Sequence, residues 1–299
     1  MNNEVYDKYK HAGRIAAEAR DFGINLLKPG ASFLDIANKI ESKILEKGGG
    51  LAFPVNISIN EIAAHYSPKH DDTNTLKKGD VVKLDIGSHV DGYIADTAVT
   101  IEIENNNYNE MIKASSDALD AAINLIKTGI NLHEIGKTVQ ETIASYGYKP
   151  IDNLTGHSMQ RYILHAGMSI PNISDEIYNG KPKEGDVLAI EPFATNGAGH
   201  VVSGPGSNIY LCKESLKQKI VRDKEAKLIF EKIKNEFKTL PFAQRWFKKQ
   251  FSYSEMSLRK LSFIGLVKHY PQLIDAKKGI VTQKEHTVIV TEDGCEVIT

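Results

Sequence analysis

Cysteine is almost missing from this chain: Cys212 and Cys295 are the two among 299 residues. A disulfide framework is thereby excluded, and both thiols read as small buried hydrophobes in a reducing compartment. A cytoplasmic location is expected. No apolar run approaches the roughly 20 residues that span a bilayer, and the opening MNNEVYDKYKHAG is too polar for a signal peptide. No membrane partner is expected. A surplus of charge is also lacking: the net charge of -1 gives no global attraction to nucleic acid or membrane. What is present is ordinary for a globular protein, with 41% hydrophobic and 25% charged residues and enough length for a large core.

Against that plain background one phrase occurs twice. Gly79-Asp80-Val81-Val82-Lys83-Leu84-Asp85 returns as Gly185-Asp186-Val187-Leu188-Ala189-Ile190-Glu191. Each copy reads as a turn feeding a short strand, with a carboxylate closing an apolar run. A buried, unpaired carboxylate costs several kcal/mol or protonates. A duplicated fold brings the two strands to equivalent places, so two unwelcome charges face each other. A cation between them is the simplest remedy.

The duplication extends further. Asn25 to Gly48 aligns without gaps on Asn124 to Gly147, and the spacing Phe33, Ile36, Ile40, Ile44 is answered by Leu132, Ile135, Val139, Ile143. Both sets form one face of a helix. Ser32 with Asp35, and Asn131 with Glu134, stand where a helix N-cap and its partner belong. A helix–helix–strand–hairpin unit used twice predicts an α+β fold in two related halves.

Along the chain, residues 4 to 28 read as a helix stopped by Pro29-Gly30, and Leu51 to Ile59 reads as a strand. Asp91-Gly92 is a strong hairpin signal. If it forms a two-residue turn, Val90 pairs with Tyr93 and Asp85 with Ala98, which places Asp96 on the face of Asp85. Two like charges there repel unless a metal bridges them or one stays protonated. Residues 213–271 are Lys-rich, carry the helical period Ala226, Ile229, Phe230, Ile233, Phe237, and have no counterpart in the first half. They are expected to be a helical insertion. The expected organisation is a single catalytic domain over 1–299, with half 1 at about 1–108 and half 2 at about 109–299.

Further acids and a histidine sit at strand ends. Glu285 heads the run Glu285-His286-Thr287-Val288-Ile289-Val290, and His157 follows Thr155-Gly156. Four carboxylates (Asp85, Asp96, Glu191, Glu285) and one neutral imidazole suit a dinuclear site for Mn, Fe, Co or Zn. They do not suit a structural zinc site, which prefers thiolate and imidazole.

These positions carry a resemblance. Phe53-Pro54, Ala63-Ala64-His65-Tyr66, Lys83-Leu84-Asp85-Ile86-Gly87, Asp96-Thr97-Ala98, Gly156-His157-Ser158, His165-Ala166-Gly167, Ile190-Glu191-Pro192-Phe193-Ala194-Thr195 and Glu285-His286-Thr287 resemble, in order and over nearly the whole chain, the type 2 methionine aminopeptidases. Without the long N-terminal extension of eukaryotic members, the chain is more similar to the archaeal ones. The resemblance implies the duplicated "pita-bread" fold and two divalent metal ions (Co, Mn, Fe or Zn). It implies Asp85, Asp96 and Glu285 on one ion, and Asp96, His157, Glu191 and Glu285 on the other. It implies Glu191 as the proton shuttle, His165 and His65 as catalytic and substrate-contacting histidines, and Phe53, Leu164 and Tyr270 lining the methionine pocket. The spelling Asn196-Gly197-Ala198-Gly199-His200 departs from the family's Gly-rich loop.

The activity so implied is removal of the initiator methionine from nascent chains whose second residue is small, by a protein expected to be a monomer. Two rivals stand beside it. A prolidase or X-Pro aminopeptidase shares the fold, but usually needs an N-terminal domain for which this chain leaves no room. A catalytically silent ribosome- or RNA-binding relative would have lost ligands, and all five are present. The segment 237–251, with Lys238, Arg245, Trp246, Lys248 and Lys249, offers a contact to the ribosome near the exit tunnel. A solvated basic face is the blander reading of it.

Overall fold

The computed structural model describes residues 1–213, 221–248 and 250–299. Helix α1 (Asn3–Ile24) starts where the Asn2 side chain accepts the Val5 N–H at 2.9 Å. It ends before the expected residue 28. Leu26 and Leu27 N–H groups donate to Gly23 O and Ile24 O, i→i−3 bonds that close the last turn tightly. Helices α2 (Phe33–Glu46) and α4 (Leu132–Ser145) are both 14 residues long, and Ser32 and Asn131 cap them with side-chain oxygens. Helix α3 (Asn109–Leu125) precedes α4.

The first half contributes β1 (Gly50–Leu51), β2 (Asn56–Ile59), β3 (Ile62–Ala64), β4 (Val81–Val90) and β5 (Tyr93–Glu102). The strand expected over 51–59 is therefore two short ones. Pro54 has no N–H for a ladder, and it parts them. The second half brings β6 (Lys149–Pro150), β7 (Thr155–Met159), β8 (Ser169–Pro171), β9 (Val187–Ile190), β10 (Phe193–Thr195) and β11 (Val201–Cys212). It continues with β12 (Phe242–Ala243), β13 (Val267–Asp275), β14 (Val281–Gln283), β15 (His286–Val290) and β16 (Cys295–Val297). Strand β4 lies between β2 and β5, and β9 lies between β7 and β15.

The duplicated phrase is duplicated in space. Gly79 and Gly185 both have φ of 86°, and Asp80 and Asp186 each accept the N–H of the residue three before at 2.8 Å. Gly79 N–H donates to Ile103 O, and Gly185 N–H to Val290 O. Strand β15 thus does for β9 what β5 does for β4. In the first half the connection is the tight Asp91-Gly92 turn, with φ of 52° and 87° and the register Val90↔Tyr93, Asp85↔Ala98. In the second half the whole stretch from Glu191 to Glu285 replaces that turn.

The halves meet where β5 and β15 touch. Ala98 and Glu285 exchange backbone hydrogen bonds. On one side of this bridge Thr287 Oγ1 bonds Asp96 backbone O and N at 2.8 Å each. On the other, Thr100 Oγ1 does the same to Gln283 at 2.7 and 2.8 Å. The two threonines are equivalent across a local two-fold through the bridge, and so are Asp96 and Gln283.

Each half has its own core: Ile36, Ile40, Ile44, Leu84 and Ile86 in the first, Ile135, Val139, Leu188, Ile190 and Val288 in the second. Helices α5 (Lys224–Lys232) and α6 (Ser254–Phe263), with a π-turn over Ile233–Phe237 and a 3-10 turn over Gln244–Phe247, pack a further core of Ala226, Ile229, Phe242, Phe247, Leu258 and Leu261. Here one expectation changes. Arg245 and Trp246 are not on a solvated basic face: both side chains turn inward onto Glu41 of α2. An apolar core and a buried carboxylate draw them in. Lys249 and residues 214–220 lie outside the described residues. No helix among the described residues is long and apolar enough to cross a membrane.

Candidate metal centre and active site

Five side chains converge from β4, β5 and β7, whose interiors carry Asp85, Asp96 and His157, and from the adjoining ends of β9 and β15. Asp85 and Asp96 come from the first-half hairpin, where Asp96 stands opposite Gly87, two residues from Asp85 and therefore on the same face. Glu191 and Glu285 close β9 and open β15. His157 stands opposite Ala189 in the β7–β9 ladder. That close pairing explains Gly156, since a Cβ there would lie 2.3 Å from the Ala189 carbonyl oxygen.

The distances are those of a ligand cluster. His157 Nε2 is 3.7 Å from both Asp96 Oδ2 and Glu191 Oε1. Ligand atoms of Asp96, His157 and Glu285 all lie within 4.8 Å of one another. No lysine or arginine approaches these acids among the ion pairs of the described residues, and Asp85 Oδ1, Asp96 Oδ1 and Glu285 Oε1 are buried with no hydrogen-bond partner. Unpartnered buried carboxylate oxygens are expensive, so the residues fit a bound cation.

The protonation behaviour agrees. Burial pushes Asp85 up to about 7. Burial and the neighbouring acids hold Asp96, Glu191 and Glu285 well above the usual carboxylate range. Burial, with help from His165, drives His157 down to about 3. The imidazole is therefore neutral, as a ligand must be, and the acids await a positive charge to ionise together.

One contributor was not visible in the sequence. Gln283, at the place equivalent to Asp96, donates from Nε2 to Glu191 Oε2 at 3.2 Å and Glu285 Oε2 at 3.3 Å. It orients two carboxylates from the second half. Its only sequence signal is its place in the duplication, which the long stretch between Glu191 and Glu285 conceals.

Beside the acids opens a pocket lined by Phe53, Asn56, Ala64, His65, Leu164, His165, Ile209, Pro241, Tyr270 and the carboxylate cluster. All the sequence-derived pocket residues come together here. Asn56, Ile209 and Pro241 join them without a sequence signal of their own. Asn56 lies opposite Asp85 in the β2–β4 ladder, and Pro241 is delivered by the insertion.

His65 has a left-handed backbone, φ 64°, a strained conformation for a residue other than glycine. Its ring meets Tyr270 edge-on at 5.4 Å, and burial lowers it to about 4. The His165 ring lies 4.4 Å from that of His157, and its pKa is lowered by burial and by the Lys268 charge. Both histidines are neutral donors or acceptors at neutral pH. A second groove continues from the same histidines past Thr155, Gly167, Met168 and Phe193.

The departing loop 196–200 has its own anchor. Asp275, almost fully buried, accepts from Ala198 N, Lys277 N, Gly279 N and Thr195 Oγ1. Burial pushes its carboxyl up, but the three backbone N–H groups and the threonine together carry it below the ordinary value.

The description "Metallopeptidase family M24" matches residues 7–292. The chain is 46% identical over 295 residues to the methionine aminopeptidase of Pyrococcus horikoshii, covering 98% of this chain and 99% of that one. It is 46% identical over 299 residues to that of Methanocaldococcus jannaschii, covering 100% of both. A solved structure of a thermophilic Arx1 superposes with a TM-score of 0.87 over 100% of this chain and 91% of that one, at 18% identity, which speaks for the fold alone. With the cluster of acids in place and the match running end to end, the chain belongs to metallopeptidase family M24, with the methionine aminopeptidases.

Proposed function

We infer that the chain removes an N-terminal methionine from peptides by metal-assisted hydrolysis, the activity named for relatives aligned over its full length. The observation that carries it is the cluster of four buried acids and a neutral His157 beside a half-apolar pocket. Asp85, Asp96 and Glu285 would hold one divalent ion, and Asp96, His157, Glu191 and Glu285 a second, with Mn, Fe, Co and Zn all suited to this donor set. Bound there, the ions supply Lewis acidity and an activated water.

The chain's own residues do the remainder. Phe53, Leu164 and Tyr270 exclude water around the methionine side chain and leave the scissile amide facing the acids. Glu191 accepts the proton released as water adds to the amide carbon and returns it to the departing amine. Gln283 keeps the Glu191 carboxylate aimed. His165, neutral and at the pocket edge, donates a hydrogen bond to the oxygen that gains charge. His65, fixed by its backbone and by Tyr270, orients the peptide. A preference for substrates with a small second residue is what the resemblance to the methionine aminopeptidases implies.

Assigning the halves to about 1–108 and 109–299, with the 213–271 insertion in the second, belongs to the same proposal. The matched glycine turns support it. Cytoplasmic location, a monomeric state and a ribosome contact through the insertion complete the reading. Within 237–251 the contact would fall on the exposed Lys238 and Lys248, since Arg245 is committed to Glu41.

The test is Glu191→Gln, assayed by methionine release from a Met-Ala-Ser peptide with metal content measured beside the rate. A fall in kcat of at least about 10²-fold at full metal content is expected. A fall accounted for wholly by lost metal removes the proton-transfer role.

A further inference from the structure

We propose that Tyr162 is a positioning residue: its ring and backbone join the first-half hairpin tip, the insertion and the segment that carries Leu164 and His165. The inference rests on the role assigned to His165 above. Residues 159–166 leave the sheet and return, closed at the base by Ala166 N–H to Ser158 O at 2.8 Å. The tip is held at Tyr162. Its N–H donates to Gly92 O at 2.7 Å, and its carbonyl accepts from the Thr239 hydroxyl.

The ring closes the junction. It covers Gly92 so tightly that a Cβ there would lie 2.4 Å from two ring carbons. The Lys238 ammonium sits 3.6 Å from the ring centroid, and the His89 ring meets it edge-on at 5.6 Å. Tyr162 adopts φ 60°, and Lys238 adopts φ 55°. Two strained residues that grip each other are over-determined by their surroundings, the condition under which strain persists.

Position explains the consequence. Leu164 and His165 follow Tyr162 by two and three residues, and Pro241 follows Thr239 by two. One junction therefore sets two sides of the pocket and the histidine at its edge. The insertion, which also lends Pro241 and Tyr270 to the pocket wall, reaches His165 through this contact.

The experiment measures kcat and KM on Met-Ala-Ser with fully metal-loaded enzyme, for Tyr162→Ala and Thr239→Val, each alone and combined with His165→Ala. Misplacement of order 1 Å costs up to about 10²-fold. Tyr162→Ala is expected to lower kcat by about 10–10²-fold and Thr239→Val by less, with both losses at least about threefold smaller once His165 is gone. Tyr162→Phe keeps wild-type kcat, because among the described residues the contacts come from ring and backbone. Thr239→Val, nearly isosteric, reports even if Tyr162→Ala does not fold. Wild-type kcat in Thr239→Val, or losses equal with and without His165, overturn the proposal and leave the His165 assignment standing. A His165→Ala enzyme with normal kcat overturns that assignment, and this proposal with it.

Discussion

Substituting Arg245 by methionine leaves Glu41 buried without its cation. In the native chain Glu41 accepts from the Arg245 guanidinium, from Trp246 Nε1 at 2.9 Å and from Val55 N at 3.2 Å. Arg245 also reaches Ser67 Oγ at 2.7 Å and Pro68 O at 3.1 Å. Arg245 is 7% exposed and Glu41 5%, so water cannot take over either charge. Removing one member of such a pair costs about 3–5 kcal/mol, a drop in Tm of roughly 5–15 °C for a chain of this size. The pH dependence has a definite sign. Burial already raises the Glu41 pKa, and Arg245 opposes that rise. Without Arg245 the folded pKa climbs further, so the folded state retains a proton that the unfolded chain releases. Stability is then highest below the unfolded Glu pKa, and it falls as pH rises towards the folded value. Urea denaturation of Arg245→Met and wild type across pH 4.5–8, at fixed metal concentration, gives the answer. The deficit widens as pH rises, and the double variant Glu41→Leu/Arg245→Met recovers most of it. A deficit below about 1 kcal/mol, or one independent of pH, refutes the reasoning.

Three further outcomes are expected. Asp96→Asn lowers affinity for both metal ions while Asp85→Asn mainly affects one, as read by metal titration; full occupancy and wild-type turnover in Asp96→Asn sink the bridging assignment. His165→Ala lowers kcat by roughly 10²–10³-fold with little change in KM and intact metal content; near-normal kcat in the loaded enzyme defeats the oxyanion role. Asp275→Ala destabilises by about 1.5–3 kcal/mol at neutral pH. Because the folded pKa of Asp275 is depressed, that advantage of the wild type exists above the unfolded value and is lost as pH falls through the folded one, which unfolding curves at pH 7 and pH 3 resolve.

The parts legible in the sequence were those governed by short-range chemistry. Gly79 and Gly185 announce identical turns because few other residues tolerate φ near 86°. Asp91-Gly92 fixes its own hairpin register, and with it the shared face of Asp85 and Asp96. Ser32 and Asn131 mark helix starts because their side chains cap. What escaped depended on distant pairing. Gln283 acquires meaning only when β15 docks against β5. Arg245 and Trp246 read as a basic surface because their partner, Glu41, lies some two hundred residues away in sequence. Pro54 split a strand whose apolar pattern ran straight through it.

The bridge between Ala98 and Glu285 also bears on how the molecule comes into being. Glu285 enters the centre from the strand made last among the five ligand-bearing segments, two hundred residues after Asp85. Contacts of such sequence separation form slowly, because a long loop must close before they reward it. During synthesis the first hairpin can assemble Asp85 and Asp96 early, yet Glu285 joins them only after β15 has paired with β9 and met β5 at Ala98. Completion of the candidate ligand set is thus tied to the closing step of folding, so a ribosome-bound fragment ending before residue 285 carries Asp85, Asp96, His157 and Glu191 but lacks the acid that joins the two halves.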